Sequence, residues 1–113
     1  MVDDNRDILE ALSMTLEVYG YTVQTTPKGE ETFEKVKVFQ PHLIILDIML
    51  AGSDGRDICK RLKGNKSTEH IPVLMISALP SVATDAKSCG ANGSICKPFD
   101  IARLDSSIRE FLK

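Results

Sequence analysis

The stretch His42-Leu43-Ile44-Ile45-Leu46-Asp47 decides the reading of this chain. Its four apolar residues form an unbroken run, closed by a carboxylate. A run this short is too brief for a helix of ordinary length, and no polar residue alternates within it. It suits a strand covered on both faces, as in a parallel sheet. Ile71-Pro72-Val73-Leu74-Met75-Ile76 is a second such run, ending at Ser77. Pro72 cannot donate to a ladder and belongs at that strand's beginning.

Helical patterns surround both runs. Asp7 to Tyr19 carries Ile8, Leu12, Leu16 and Tyr19 at helical spacing, and Gly20 follows as a C-terminal cap. Glu30 to Phe39 places Phe33 and Val36 on one face, with Pro41 beyond its end. Arg56 to Lys63, Val82 to Cys89 (closed by Gly90) and Ile101 to Leu112 read as three more helices. Tyr21 to Thr26 is rich in β-branched residues and predicts a short strand, and Ser94 to Cys96 predicts a very short one. Strands alternating with helices imply right-handed crossovers and a doubly wound α/β domain over residues 1–113.

A strand should precede the first helix, yet only Met1 and Val2 stand before the acidic pair Asp3-Asp4. Strands typically have about five or six residues. About three missing aliphatics, each contributing about 1.5–3 kcal/mol, rival a domain's whole stability of about 5–15 kcal/mol. The first strand is therefore expected to be truncated or atypical, with marginal stability, a homo-oligomer or a segment swapped from a second copy as the consequence.

Placed on this layout, four groups meet at one sheet edge. Asp3 and Asp4 follow the expected first strand, Asp47 ends the run 43–46, Ser77 ends the run 71–76, and Lys97 follows the last short strand. Clustered carboxylates repel, and a divalent cation with a taste for hard oxygen relieves the repulsion; Mg²⁺ is the usual choice. Asp47 can then attack phosphorus and form an acyl phosphate. The metal, the Lys97 ammonium and the Ser77 hydroxyl can each hold one equatorial phosphoryl oxygen. Ala78 is small and leaves room for the incoming group.

Val2-Asp3-Asp4-Asn5, Leu46-Asp47-Ile48-Met49-Leu50, Gly52-Ser53-Asp54-Gly55, Ser77-Ala78, Gly90-Ala91-Asn92 and Lys97-Pro98-Phe99 resemble, in order and interval, the receiver domains of response regulators in two-component signalling. The resemblance covers essentially the whole chain. It implies a flavodoxin-like fold with five parallel strands in the order 2-1-3-4-5. It also implies phosphorylation of Asp47 by a histidine kinase or histidine phosphotransfer protein. By the same resemblance Asp4, Asp47 and the Met49 backbone carbonyl ligate Mg²⁺, with Asp3 acting through water, and the Lys97–Pro98 bond is cis. Such a domain is a cytoplasmic signalling module, not an enzyme acting on an external substrate. The surface formed by roughly Val82 to Leu112 is, by analogy, the output face.

Some positions depart from the family pattern. Ala51 stands where proline is usual. Ser94 stands three before the lysine, where an aromatic residue is usual, which removes the ring that ordinarily follows the hydroxyl on activation. Met49 and Leu79, two residues after Asp47 and Ser77, offer water no polar positioning group, so the phosphoryl form is expected to be long-lived.

Plainer readings stand beside these. Asp3 and Asp4 suit a helix N-terminus, Gly52 and Gly55 a turn, and His42 and His70 the surface. Cys59, Cys89 and Cys96 lack metal-ligand spacing and read as small packing residues. The net charge of -2 over mixed acids and bases gives no nucleic-acid or membrane footprint, and no run is long enough to span a bilayer. The alternative function is a degenerate receiver, a binding module that works without phosphorylation. An aspartyl phosphatase ranks last, because Met49 occupies the place of the second aspartate such enzymes use.

Overall fold

The structure, a computed structural model, describes residues 1–2, 6–50, 52–97 and 99–112. Among the described residues there are five helices: α1 (Arg6–Val18), α2 (Thr32–Phe39, led in by a 3-10 turn Gly29–Glu31), α3 (Gly55–Lys63), α4 (Val82–Cys89) and α5 (Ile101–Phe111). Among the described residues the main sheet has three strands, β1 (Ile44–Asp47), β4 (Val73–Ser77) and β5 (Gly93–Cys96), paired in parallel in the order β1-β4-β5. A small antiparallel ribbon, β2 (Met49–Leu50) with β3 (Ser53–Asp54), follows β1. The ribbon closes on Gly52 at φ +75°, a left-handed value that glycine adopts without strain.

The doubly wound expectation holds, with one reduction. Val2 bridges Leu46 on one side and Thr26 on the other, both in parallel. The spatial order Thr26, Val2, β1, β4, β5 follows the expected 2-1-3-4-5, but the first two members are single bridging residues. Tyr21 to Thr26 is therefore not the strand its composition predicts. A β-branched segment becomes a strand only against a partner, and the pairing seen here is the single Val2–Thr26 bridge.

The sheet alternates its side chains between two cores. Ile44, Leu46, Val73 and Met75 pack with Val36, Ile58, Leu62 and Ala86 of α2, α3 and α4. Ile45, Leu74, Ile76 and Ile95 pack with Leu16, Leu104 and Ile108 of α1 and α5. Helix α1 is rotated relative to expectation: Leu9 and Leu16 are buried, Leu12 is half-buried, and Ile8 and Tyr19 are exposed. Pro72 precedes β4, and its carbonyl accepts the Ile44 N–H at 2.9 Å. Gly90 caps α4 at φ +85° as its sequence position predicts. Cys59 and Cys89 are buried, and burial pushes the Cys59 thiol up to about 12, which makes it inert. Cys96 is exposed, against expectation. No helix among the described residues is long and apolar enough to cross a membrane.

Candidate functional site

The site stands beyond the carboxyl ends of β1, β4 and β5. Parallel pairing sets their ends level: Asp47 registers with Ile76, and Ser77 with Cys96. The ladder continues past the strands, because Ile48 N–H donates to the Ile76 carbonyl at 3.1 Å and Lys97 N–H to the Ser77 carbonyl at 2.7 Å. Asp47, Ser77 and Lys97 are thus delivered to one edge by backbone pairing, before any side chain chooses a partner.

Asp47 is 5% exposed. A carboxylate removed from water needs donors for its oxygens. Its Oδ1 accepts the Met49 N–H at 3.1 Å, and its Oδ2 accepts the Lys97 Nζ at 2.6 Å. The lysine keeps partial access to solvent while the aspartate has almost none. Ser77 is buried, and its Oγ accepts the Leu79 N–H at 3.0 Å. That bond occupies a lone pair and leaves the hydroxyl proton for an oxygen at the strand ends. Ala78 is exposed beside it.

Asp3, Asp4 and Pro98 lie outside the described residues, as does Ala51. The carboxylate pair and the Lys97–Pro98 bond are therefore not placed. What is placed is the residue before the pair: Val2 donates to the Ile45 carbonyl at 2.8 Å and accepts the Asp47 N–H at 3.0 Å. Among the described residues no group of three or more metal-ligating side chains occurs. The donors at the site are a carboxylate and backbone carbonyls, hard oxygens of the kind Mg²⁺ prefers over thiolate or imidazole.

Two neighbours of the site exceed their sequence reading. Gly55 does more than shape a turn. Its N–H donates to the Ile48 carbonyl at 2.7 Å, and a Cβ there would run into the Asp47 carbonyl oxygen. Only glycine lets the start of α3 press against the chain that follows Asp47. Asp54 caps α3 by accepting the Arg56 N–H at 2.9 Å, and the Arg56 guanidinium grips the same carboxylate at 2.6 Å while reaching Asp85 of α4 at 3.5 Å. The Arg56 bonds hold the Asp54 carboxyl below its usual range. Gly52 and Gly55 announced a turn, and nothing in the spacing announced the tie to α4.

Fold and site together define a class: a doubly wound domain whose polar side chains gather at the strand ends, where such sheets carry their function. Residues 1–109 match the family model of the response regulator receiver domain, and the chain belongs to that family of two-component signalling domains. It is 35% identical, over its whole length, to the DNA-binding dual master transcriptional regulator RpaA of Synechocystis sp., and 33% identical to the alkaline phosphatase synthesis transcriptional regulatory protein PhoP of Bacillus subtilis. The match takes in 48% and 47% of those proteins, so the chain spans about half the length of the curated relatives it matches. Among solved structures, a putative response regulator from Chloroflexus aurantiacus superposes with a TM-score of 0.91 at 31% identity, covering 98% of this chain and 93% of that one.

Proposed function

We propose that residues 1–113 form one receiver domain that accepts a phosphoryl group on Asp47 from the phosphohistidine of a histidine kinase or a histidine phosphotransfer protein. The observation that carries this reading is the 2.6 Å contact between Lys97 Nζ and the buried Asp47 carboxylate, at a strand edge shared with Ser77. A structural ion pair would serve equally well anywhere in the fold. This one lies at the sheet edge where ligands bind in doubly wound domains.

In the transfer, an Asp47 carboxylate oxygen bonds to phosphorus as the phosphorus–nitrogen bond to histidine breaks. The products are an acyl phosphate and a histidine that recovers its proton from solvent. Lys97 holds the carboxylate before transfer and a phosphoryl oxygen after it, keeping a cation beside the charge throughout. Ser77 donates its hydroxyl proton to a second phosphoryl oxygen. Asp3, Asp4, Asp47 and the Met49 carbonyl would hold Mg²⁺, which when bound neutralises charge on the transferring group. Met49 is exposed and Leu79 half-buried. Neither side chain positions water, which supports a long-lived phosphoryl form. The domain acts in the cytoplasm as a signalling switch, and it turns over no external substrate.

The test is direct. With acetyl phosphate and Mg²⁺, intact-mass measurement should show the gain of one phosphoryl group, abolished in Asp47→Asn. No gain in the wild-type chain would move the assignment to a phosphorylation-independent binding module. Release of the phosphoryl group within seconds would overturn the long-lived form alone.

A further inference from the structure

Helices α3 and α5 are capped at their starts by Asp54 and Asp100, whose side chains each accept a first-turn N–H. Helix α4 has no such cap. Ser81 stands in the cap position, but its side chain accepts no helix N–H, and its hydroxyl donates to Asp85 Oδ2 at 2.8 Å. In the first turn only Val82 is buried; Ala83 and Thr84 are exposed and Asp85 is half-buried. The far end of the helix is held differently. Ala86 and Cys89 are buried, and Cys59 Sγ of α3 donates to the Cys89 carbonyl at 3.4 Å. Helix α4 therefore has an anchored end and a lightly held start.

Two lines of contact run from the phosphoryl site to that start, and both finish on Asp85. Along the first, Met49 N–H donates to Asp47 Oδ1, Met49 pairs with Asp54 in the ribbon, the Asp54 carboxylate accepts the Arg56 guanidinium at 2.6 Å, and the same guanidinium reaches Asp85 Oδ1 at 3.5 Å. Along the second, Leu79 N–H donates to Ser77 Oγ at 3.0 Å, Val82 N–H to the Leu79 carbonyl at 3.2 Å, and Asp85 N–H to the Ser81 carbonyl at 2.9 Å. The longest contact in this circuit is Arg56 to Asp85. At 3.5 Å it stands at the outer limit of hydrogen bonding, where a small shift ends it. The contacts on either side of it, 2.6 and 2.8 Å long, survive the same shift. The guanidinium is also partly exposed, so water replaces the lost carboxylate at little cost.

We propose that the Arg56–Asp85 contact is a latch that holds the start of α4 to the phosphoryl site in the unphosphorylated chain, and that phosphorylation of Asp47 opens it. The inference rests on the phosphoacceptor reading of Asp47. A phosphoryl group adds bulk and charge to the Asp47 carboxylate and draws the Ser77 hydroxyl proton toward itself. Both lines of contact then begin from displaced atoms, and the displacement falls on their weakest member. Arg56 stays with Asp54, so α3 keeps its cap, and the change is confined to the first turn of α4. Coupling between two sites is reciprocal. A latch closed only without the phosphoryl group opposes that group, and its removal favours it.

The probe is beryllofluoride with Mg²⁺, a phosphoryl mimic that binds reversibly, titrated onto the full chain while amide exchange at Val82 and Asp85 is followed by NMR. In the wild-type chain, exchange at both amides should rise about two- to fivefold on binding, the span set by a partly exposed ion pair. In Arg56→Gln it should be raised by that factor beforehand and change little on binding, and the variant should hold the mimic about two- to fivefold more tightly. Asp85→Ala should match it, and the double variant should bind no more tightly than either single one, because both remove the same contact. If Arg56→Gln fails to fold, Asp85→Ala carries the test. Unchanged affinity for the mimic, or an exchange response equal to that of wild type, would make Arg56 a plain support for α4 and overturn the latch. So would a wild-type chain that gains a phosphoryl group from acetyl phosphate and binds the mimic with no change at Val82 and Asp85, the phosphoacceptor reading then standing alone. A wild-type chain that neither gains that mass nor binds the mimic would overturn the reading and the latch together.

Discussion

At position 55 there is room for a hydrogen and nothing larger. A Cβ would collide with the Asp47 carbonyl oxygen and stand 2.8 Å from Ile48 Cα, both parts of the backbone and unable to swing away. Gly55→Ala should therefore lower stability by about 1–3 kcal/mol in urea unfolding and slow phosphorylation as well, because the displaced backbone carries Asp47. Gly52→Ala is the contrast. It has open space but a φ of +75°, so it should cost about 1–2 kcal/mol of conformational strain and leave the phosphorylation rate nearly unchanged. Equal effects of the two on that rate would mean that Gly55 serves the fold alone. At Lys97 the expected consequence is chemical. Lys97→Ala removes the cation 2.6 Å from Asp47 Oδ2, and the rate of phosphorylation by acetyl phosphate should drop about 10²–10³-fold, as when one oxyanion donor is lost. A wild-type rate would reduce the lysine to a screen for a buried charge. Asp47, Ser77 and Lys97 were legible in the sequence because each ends or follows an apolar run, and a polar residue there lands at a strand edge whatever its rotamer. Gly55 was not, since a close approach between residues 47 and 55 is a fact of tertiary geometry that no local pattern encodes.

Among the elements, α3 has the most explicit start. Asp54 caps it, and Arg56 binds the cap carboxylate from within the first turn. Asp54→Ala should cost about 0.5–2 kcal/mol, the usual loss on removing an N-cap. The pH dependence has a definite sign. The Arg56 hydrogen bond lowers the folded-state pKa of Asp54 below its ordinary 3.8, so the contribution is fully present above that value and is lost as pH falls through the lower, folded one. Both side chains are more than a third exposed, so solvent screening keeps the electrostatic part small. Urea midpoints of wild type and Asp54→Ala should converge as pH falls from 3.8 through the lowered folded value, and a constant difference would assign the loss to helix propensity instead of the cap. The five helices were legible because apolar spacing and terminal signals agree. The face of α1 was not: Leu9 and Leu16, with half-buried Leu12, turn inward, while Ile8 and Tyr19 fit the spacing equally well and turn out. The ribbon β2–β3 was invisible, since strands of two residues have no periodicity. Tyr21 to Thr26 misled for the converse reason: its composition is that of a strand, but a strand is defined by pairing, and only Thr26 is bridged, to Val2.

Across the whole molecule, one titration belongs to the fold and not to the phosphoryl site. The Met1 amine of the chain is buried between segment 20–26 and β1, with the Gln24 carbonyl as its acceptor, and its pKa falls from 8.0 to about 6. Desolvation is the larger cause and Lys35 the smaller. The unfolded chain keeps the proton up to about pH 8, whereas the folded chain has released it above about pH 6. Stability must therefore rise between those values, be complete above pH 8, and be lost as pH falls to 6, below which the penalty is constant. Two pKa units at 1.36 kcal/mol each set an upper bound of about 2.7 kcal/mol, and relaxation around the amine will reduce it. This window lies well above that of Asp54, so the two effects separate on one pH axis. Nα-acetylation changes this amine and no side chain, which makes it the clean control. Acetylation abolishes the titration, and by the two-residue repeat its carbonyl falls opposite the Ile45 N–H. The acetylated chain should be more stable at pH 6, and the rise between pH 6 and 8 assigned to the amine should be absent from it. Parallel profiles with and without the acetyl group would mean that the amine reaches water, and that the walls beside Met1 do not close around it.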